Sequence, residues 1–152
     1  MTSDMTLDEL VEHARAYVAE PNYVDQPILV GEKLVTARIH KLPGDAWRDL
    51  IAKHPPRAGA LIDARRNYNV TAVTKAYPHV ALILEDGTEI DASPRWSEIA
   101  GALDGPDLEN LEFAVWGKNE YDQQERLQGK VRARETSKKP SSRESSESPS
   151  ES

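Results

Sequence analysis

The chain lacks cysteine altogether and is poor in aromatic side chains, with three Trp, five Tyr and one Phe in 152 residues. Without cysteine it has no disulfide framework, no thiolate metal site and no cysteine nucleophile. This absence fits a protein of a reducing cytoplasm. Few aromatic residues allow only a thin hydrophobic core, and small domains with thin cores often gain stability from self-association or from a partner.

The sequence also lacks a long apolar run and a targeting segment. Its longest uninterrupted apolar run is residues 80–84, whereas a membrane-spanning helix needs roughly 20 residues. The N-terminal residues, Met1-Thr2-Ser3-Asp4, contain neither the basic region nor the apolar region of a signal peptide. We therefore expect a protein with no membrane partner that stays in the compartment where it is made.

Positive charge is scarce over most of the chain, whose formal net charge is -7. Residues 1–128 contain 13 basic and 22 acidic side chains, and residues 129–152 contain six basic and four acidic ones. Binding to a phosphate backbone requires a basic stripe or patch. The charge distribution therefore argues against nucleic acid as the partner, and it favours an acidic, well-solvated surface.

No pattern of residues indicates catalysis. The four histidines, His13, His40, His54 and His79, have no metal-ligand spacing, and the sequence contains no phosphate-binding glycine loop and no nucleophile elbow. We therefore expect no catalytic, cofactor-binding or metal-binding residues. His54 follows a predicted helix, where an imidazole can cap backbone carbonyls, so its expected role is structural.

Hydrophobic periodicity predicts the elements of the N-terminal half. A capping box formed by Thr6 and Glu9 begins a helix with an apolar face from Leu7 to Val18. Residues 27–30 and 33–40 read as two strands of a hairpin. The segments predicted next are a helix at residues 45–53, an irregular polar stretch at 63–67, a helix capped by Asn69, and either a hairpin or a buried helix at 79–91.

Two further helices are predicted in the C-terminal half. Ser93 and Pro94 form the cap and first turn of one helix, and Asp107 caps a longer one. The last turns of the longer helix, residues 119–126, are polar and are expected to protrude or fray. Residues 129–152 are rich in serine and charge, so they cannot bury enough surface to offset their ordering entropy and are predicted to be disordered.

These elements predict an α+β fold: a small, mostly helical domain with one or two short β-hairpins and a disordered C-terminal tail. The expected organisation is an N-terminal helix in residues 1–22, a folded domain in residues 23–128 and the tail in residues 129–152.

A distinctive motif lies in the middle of the chain. Trp47 and Leu50 share one face of a short helix, and His54 is followed by Pro55 and Pro56, which prevent the helix from continuing. Further residues of the pattern are Leu42, Pro43, Asn67, Asn69, Trp96, Ile99, Leu111, Trp116 and Asn119. Over residues 35–127 this pattern resembles the tail assembly chaperones of long-tailed, siphovirus-type bacteriophages. The chain departs from that pattern by lacking a longer acidic insertion after the two prolines.

The resemblance implies a non-enzymatic assembly factor made in the cytoplasm of the infected bacterium. Such chaperones coat the long helical tape measure protein, keep it soluble and help to recruit tail tube subunits, and they are absent from the mature virion. The resemblance also implies a second, longer product made by ribosomal frameshifting. Gln128-Gly129-Lys130 can be encoded by a slip-prone heptamer, and Ser137-Lys138-Lys139 offers a second such place.

The predicted partner-binding residues are Trp116, Phe113 and Tyr121, because they lie at or near the polar end of the longest predicted helix. The core is the favoured location for all three tryptophans, Trp47, Trp96 and Trp116, and Trp116 is the one best placed to be shared with a partner. Two other functions stay open. The chain could be another small phage component, for tail completion or head–tail joining, or an acidic adaptor or inhibitor of a host protein.

Overall fold

A computed structural model describes residues 5–19 and 21–138. The described residues form a four-stranded antiparallel sheet and a larger number of mostly short helices, which confirms the predicted α+β class. In chain order the elements are α1 (Leu7–Ala19), β1 (Tyr23–Val30), β2 (Lys33–His40), α2 (Gly44–Ala52), α3 (Leu61–Arg66), α4 (Val70–Lys75), β3 (Val80–Ile83), β4 (Glu89–Asp91), a 3₁₀ turn (Ser93–Arg95), α5 (Trp96–Gly101), α6 (Gly105–Trp116), a π-helical turn (Gly117–Tyr121) and α7 (Asp122–Lys138).

The sheet is a meander in the order β1-β2-β3-β4. Gly31 and Gly87 lie in its two predicted hairpin turns, with φ angles of 64° and 90° that glycine adopts without steric cost. The hairpin of β3 and β4 excludes the alternative of a buried helix at residues 79–91. Strand β1 begins at Tyr23, earlier than predicted, and tolerates Pro27 because an edge strand needs fewer N–H donors.

The core lies between one face of the sheet and the helices. In β2, the side chains of Val35, Ala37 and Ile39 are buried and alternate with more exposed neighbours, as the period of two predicts. Helix α6 packs against both β1 and α4, and α4 also packs against α5. The largest fully buried side chains are those of Trp96, Tyr68, Tyr77, Ile28, Ile39 and Leu111.

The prediction of an irregular stretch at residues 63–67 is wrong. Residues 61–66 form α3, which ends at Asn67 in the left-handed conformation with φ of 71°. The acidic side chain inside this helix, Asp63, is buried by polar contacts that periodicity does not report. A short helix held by a polar side chain has no apolar stripe facing the core, so its sequence reads as a loop.

Two predicted helix caps are wrong, and tertiary hydrogen bonds explain both. The Ser93 hydroxyl bonds to the backbone of Val80, accepting from its N–H at 3.1 Å and donating to its C=O at 3.3 Å. Helix α6 begins after Asp104 instead of Asp107, and Asp107 accepts a hydrogen bond at 3.3 Å from the Leu29 N–H of edge strand β1. The predicted cap at Asn69 is confirmed, because its Oδ1 accepts from the Ala72 N–H at 3.0 Å.

The chain divides into two compact units, one ending at Asn119 and the other beginning at Glu120. The polar residues 119–126 do not fray but are helical, and Asn119 is buried. Residues 129–138, predicted as part of the disordered tail, are helical as well, because Arg, Lys, Gln, Glu and Ala favour helix without any apolar stripe. The rest of the predicted tail, residues 139–152, lies outside the described residues.

Candidate protein-interaction surface

An arginine and two aromatic rings meet on the surface of the first unit. Phe113 and Trp116 lie one turn apart on α6, with ring centroids 5.7 Å apart. The guanidinium carbon of Arg66, from α3, lies 3.8 Å from the centroid of the Trp116 ring. At this distance the cation and the ring attract each other, and the contact joins the ends of α3 and α6.

Helix α3, which supplies Arg66, also carries exposed apolar side chains. Leu61 and Arg65, like Ile62 and Arg66, are four residues apart and therefore neighbours on the helix. The exposed fraction is 80% for Leu61 and 63% for Phe113, which is high for large apolar side chains. We call the set Leu61, Ile62, Arg65, Arg66, Phe113 and Trp116 the arginine–aromatic patch.

Asp63 fixes the helix that carries four of the six patch residues. Its carboxylate is fully buried and accepts hydrogen bonds from Arg57 Nε at 2.8 Å, Arg57 Nη2 at 2.9 Å, the Arg57 N–H at 2.9 Å and the Val70 N–H at 3.2 Å. The side-chain hydrogen bonds from Arg57, followed by the two backbone donors, hold the pKa of Asp63 well below its usual range, although burial opposes them. The ionised carboxylate therefore ties α3 to the preceding loop and to α4.

The predicted binding residues occupy different environments. Phe113 is exposed, and Trp116 is half-buried against the edge of the core. Tyr121 belongs to the second unit, where it ends the π-helical turn and is 46% exposed. The structure thus brings Phe113 and Trp116 together, while the sequence did not indicate that α3 supplies Arg66 to the same surface.

The residues of the central motif lie in the core or at the end of α2. Trp47 is buried and makes an edge-to-face contact with Tyr68, with ring centroids 5.4 Å apart. Leu50 is half-buried against the core, whereas Pro55 and Pro56 are exposed after the helix end. The His54 N–H donates to the Ile51 carbonyl at 3.1 Å, so the backbone caps this helix.

Two further motif residues fasten the motif to the rest of the first unit. The His54 carbonyl accepts a hydrogen bond at 2.8 Å from the N–H of Asn69, the residue that caps α4. Trp96 is buried, and its indole N–H donates to the Thr74 carbonyl at 2.9 Å. The motif therefore ties the start of α4 to the end of α2.

Asn119 is a polar connection that the sequence pattern concealed. Its Oδ1 accepts from the Leu42 N–H at 3.0 Å, and its Nδ2 donates to the Tyr77 hydroxyl at 2.8 Å and to the Val115 carbonyl at 2.9 Å. The Tyr77 hydroxyl in turn donates to the His40 carbonyl at 2.6 Å, and burial raises the pKa of this phenol. The network locks the end of α6, and therefore Trp116, to the strands.

The face of the sheet opposite the core is polar around Arg38. Arg38 makes two hydrogen bonds to Asp25, at 2.9 and 3.0 Å, and lies 3.7 Å from Glu89 and 4.0 Å from the Tyr23 ring centroid. Next to it the rings of His40 and His79 stack with centroids 4.1 Å apart. Despite this concentration of side chains, no group of three His, Cys, Asp or Glu residues in the described parts of the chain could hold a metal ion.

A groove of about 370 Å³ lies between the turn after β1 and helix α5. Its lining is mostly apolar, from Val30, Ile99 and Leu103, and the ion pair of Arg95 with Glu98 stands at its edge. The groove carries no convergent set of polar groups of the kind that orients a substrate. Within residues 5–19 and 21–138, no helix has both the length and the apolarity needed to cross a bilayer.

No protein-family model, no curated protein and no solved structure matches the chain.

Proposed function

We propose that the chain is a tail assembly chaperone of a long-tailed bacteriophage, and that it binds the tape measure protein through the arginine–aromatic patch. The observation that carries this proposal is the patch itself, an exposed apolar surface anchored by Arg66 on a chain whose net charge is -7. The resemblance of residues 35–127 to such chaperones supplies the identity of the client.

The chemistry of the patch suits a helical client. Aromatic and arginine side chains are the residue types that most often dominate binding energy at protein interfaces. An amphipathic helix could lay its apolar stripe across Leu61, Ile62 and Phe113, in the manner of helix-in-groove recognition. The negative net charge would keep the complex of chaperone and client from aggregating.

The remaining parts of the proposal concern the life cycle of the protein. It works without catalysis in the cytoplasm of the infected bacterium, helps to recruit tail tube subunits and leaves before the virion is complete. A longer form arises by ribosomal frameshifting near Gln128-Lys130. These codons lie outside the first unit, so a slip there would exchange the C-terminal sequence and leave the patch unchanged. Sequencing the gene tests this part, because codons that break both slip-prone heptamers would exclude it.

Co-expression tests the central claim. The chain is expressed with the longest helical open reading frame downstream of its gene, and the amount of that long protein in the soluble, co-purified fraction is measured. We expect solubilisation by the wild type and its loss with Phe113→Asp. Leu34→Asp, at a side chain 48% exposed in β2, is the control and should act like the wild type.

Three results would contradict the proposal. If the long protein stays aggregated when it is co-expressed with the shorter product and also with the frameshifted product, its solubility does not depend on this chain. If the chain is recovered from purified virions in stoichiometric amounts, it is a structural component for tail completion or joining. Capture of a basic host protein with steep salt dependence would indicate the adaptor or inhibitor instead.

A further inference from the structure

Positive charge is concentrated in the C-terminal half of α7 and in the residues that follow it. Residues 126–143 contain seven basic side chains and one acidic one, Glu135. The first unit, residues 1–119, contains 12 basic and 19 acidic side chains. The acidic balance that argues against nucleic acid therefore belongs to the first unit, and the C-terminal half of α7 has the opposite sign.

The basic side chains of α7 follow a regular spacing. Arg126, Lys130 and Arg134 recur every four residues, so they lie along one side of the helix, about 6 Å apart along its axis. All three are exposed, and none of the ion pairs among the described residues involves Lys130 or Arg134. Arg132 adds an exposed guanidinium on another side of the helix. We call Arg126, Lys130 and Arg134 the basic row.

Helix α7 is accessible around most of its circumference. From Asp122 to Ser137 every residue is exposed except Gly129 and Val131, which are half-buried. The acidic first turn, with Asp122 and Glu125, and the basic second half both complement the helix dipole. An α-helix with its side chains is about 10–12 Å across. The exposed half of α7 can therefore enter a groove of about that width in a partner.

The composition of α7 distinguishes among anionic partners. A membrane surface would require a broad apolar face, and the apolar side chains of α7 are few, chiefly Leu127 and Val131. A single-stranded nucleic acid would require aromatic rings for base stacking, and residues 122–152 contain none. Duplex DNA requires neither, because its major groove, about 12 Å wide, admits an α-helix and its phosphates attract Lys and Arg. The major groove of duplex RNA is too narrow for this mode of binding.

We propose that α7 binds double-stranded DNA through its phosphates, lying in the major groove with the basic row and Arg132 paired to the backbone. Contacts to phosphate carry no sequence information, so the binding has no sequence preference. Its free energy comes largely from the release of counterions and falls as salt rises. The binding requires neither the tape measure protein nor the arginine–aromatic patch, so it is independent of the proposed function.

Fluorescence anisotropy of a labelled DNA duplex, titrated with the purified full-length chain, tests the proposal. Between about 50 and about 200 mM salt we expect the affinity to fall roughly 40- to 150-fold, because three or four neutralised phosphates release their counterions. The double variant Lys130→Glu with Arg134→Glu should bind at least about tenfold more weakly at the lower salt. The matched control, Lys33→Glu with Arg48→Glu, reverses the same two residue types at exposed positions of the first unit and should lose far less.

Two substitutions at Gly129 separate binding by a helix from simple attraction between charges. Gly129→Pro interrupts α7 and leaves every charge in place, so it should weaken DNA binding at least about fivefold. Gly129→Ala should bind at least as tightly as the wild type, because alanine favours the helix and no atom lies within 4 Å of the added Cβ. Circular dichroism checks that each variant is folded.

Other results would overturn the proposal. No binding of the duplex at about 50 mM salt, or an equal loss in the control double variant, excludes α7 as a DNA-binding helix. A Gly129→Pro variant that binds like the wild type shows that a helix is not required. Tighter binding of duplex RNA or of single-stranded DNA excludes the major groove. Displacement of the duplex by an equal charge of polyglutamate would identify an acidic protein as the partner of α7.

Discussion

Helices α1 and α2 look alike in sequence and differ in what covers them. Both carry apolar residues at the helical spacing of three and four, and both were predicted as amphipathic helices. In α2 the stripe is covered, because Trp47 is buried and Leu50 and Ile51 pack on the core. In α1 the corresponding stripe is exposed at Leu7, Leu10 and Val11.

Periodicity identifies a helix and its apolar face but not the molecule that covers the face. Helix α3 shows that being helical and having apolar residues covered by the core are separate properties. Its apolar residues Leu61 and Ile62 are exposed, while its acidic residue Asp63 is fully buried. This helix is held by hydrogen bonds to an ionised carboxylate, which frees its apolar side chains for another use.

The largest expected effect on the free energy of unfolding comes from comparing a substitution in the covered stripe of α2 with one in the exposed stripe of α1. Trp47→Ala should lower the free energy of unfolding by roughly 3–5 kcal/mol, because it opens a cavity next to Tyr68. Leu10→Ala should change the free energy of unfolding by less than about 0.5 kcal/mol in dilute, monomeric protein. Urea unfolding of both variants measures the difference. A large loss for Leu10→Ala would show that the chain itself covers α1.

The next effect tests whether polar bonds hold α3. Asp63→Asn removes the ion pair with Arg57 and should cost about 2 to 3 kcal/mol at neutral pH. Since the folded-state pKa of Asp63 is lowered, its stabilisation is present above the unfolded pKa near 4 and is lost as pH falls below that value. The gap in unfolding free energy between wild type and variant should therefore narrow in acid. A gap that stays constant down to about pH 3 would show that geometry, and not charge, secures α3.

Much of the fold follows from local signals in the sequence. The hairpin of β1 and β2, the capping box at Thr6 and the Asn69 cap each depend on residues close together in the chain, and all are confirmed. Local signals suffice for these features because turn chemistry and capping are decided within a few residues. The helical periodicity of apolar residues predicted the positions of Trp47 and Trp96 in the core.

The features that the sequence concealed are polar contacts between distant residues. Asn119 lies in a polar run and bonds to Leu42, which is 77 positions away. Asp107, in a position suited to capping, bonds to the edge strand at Leu29, which is 78 positions away. Arg66 reaches Trp116 from another helix. No periodicity predicts such pairs, because a polar side chain reads as solvent-exposed until its partner is known.

The smallest effect on stability distinguishes the two aromatic residues of the patch. Phe113→Ala should leave the free energy of unfolding nearly unchanged, because the ring is mostly exposed, yet it should weaken client binding. Trp116→Ala should weaken both binding and folding, since the indole packs on the core and carries the Arg66 contact. As the sequence analysis predicts, we expect Trp116→Ala to damage partner binding more than folding. Thermal unfolding alongside pull-down with the co-expressed client measures both properties. A Trp116→Ala variant that binds normally but melts at a much lower temperature would assign this ring to the core, like the covered stripe of α2. Phe113 and α3 would then be the exposed part of the surface.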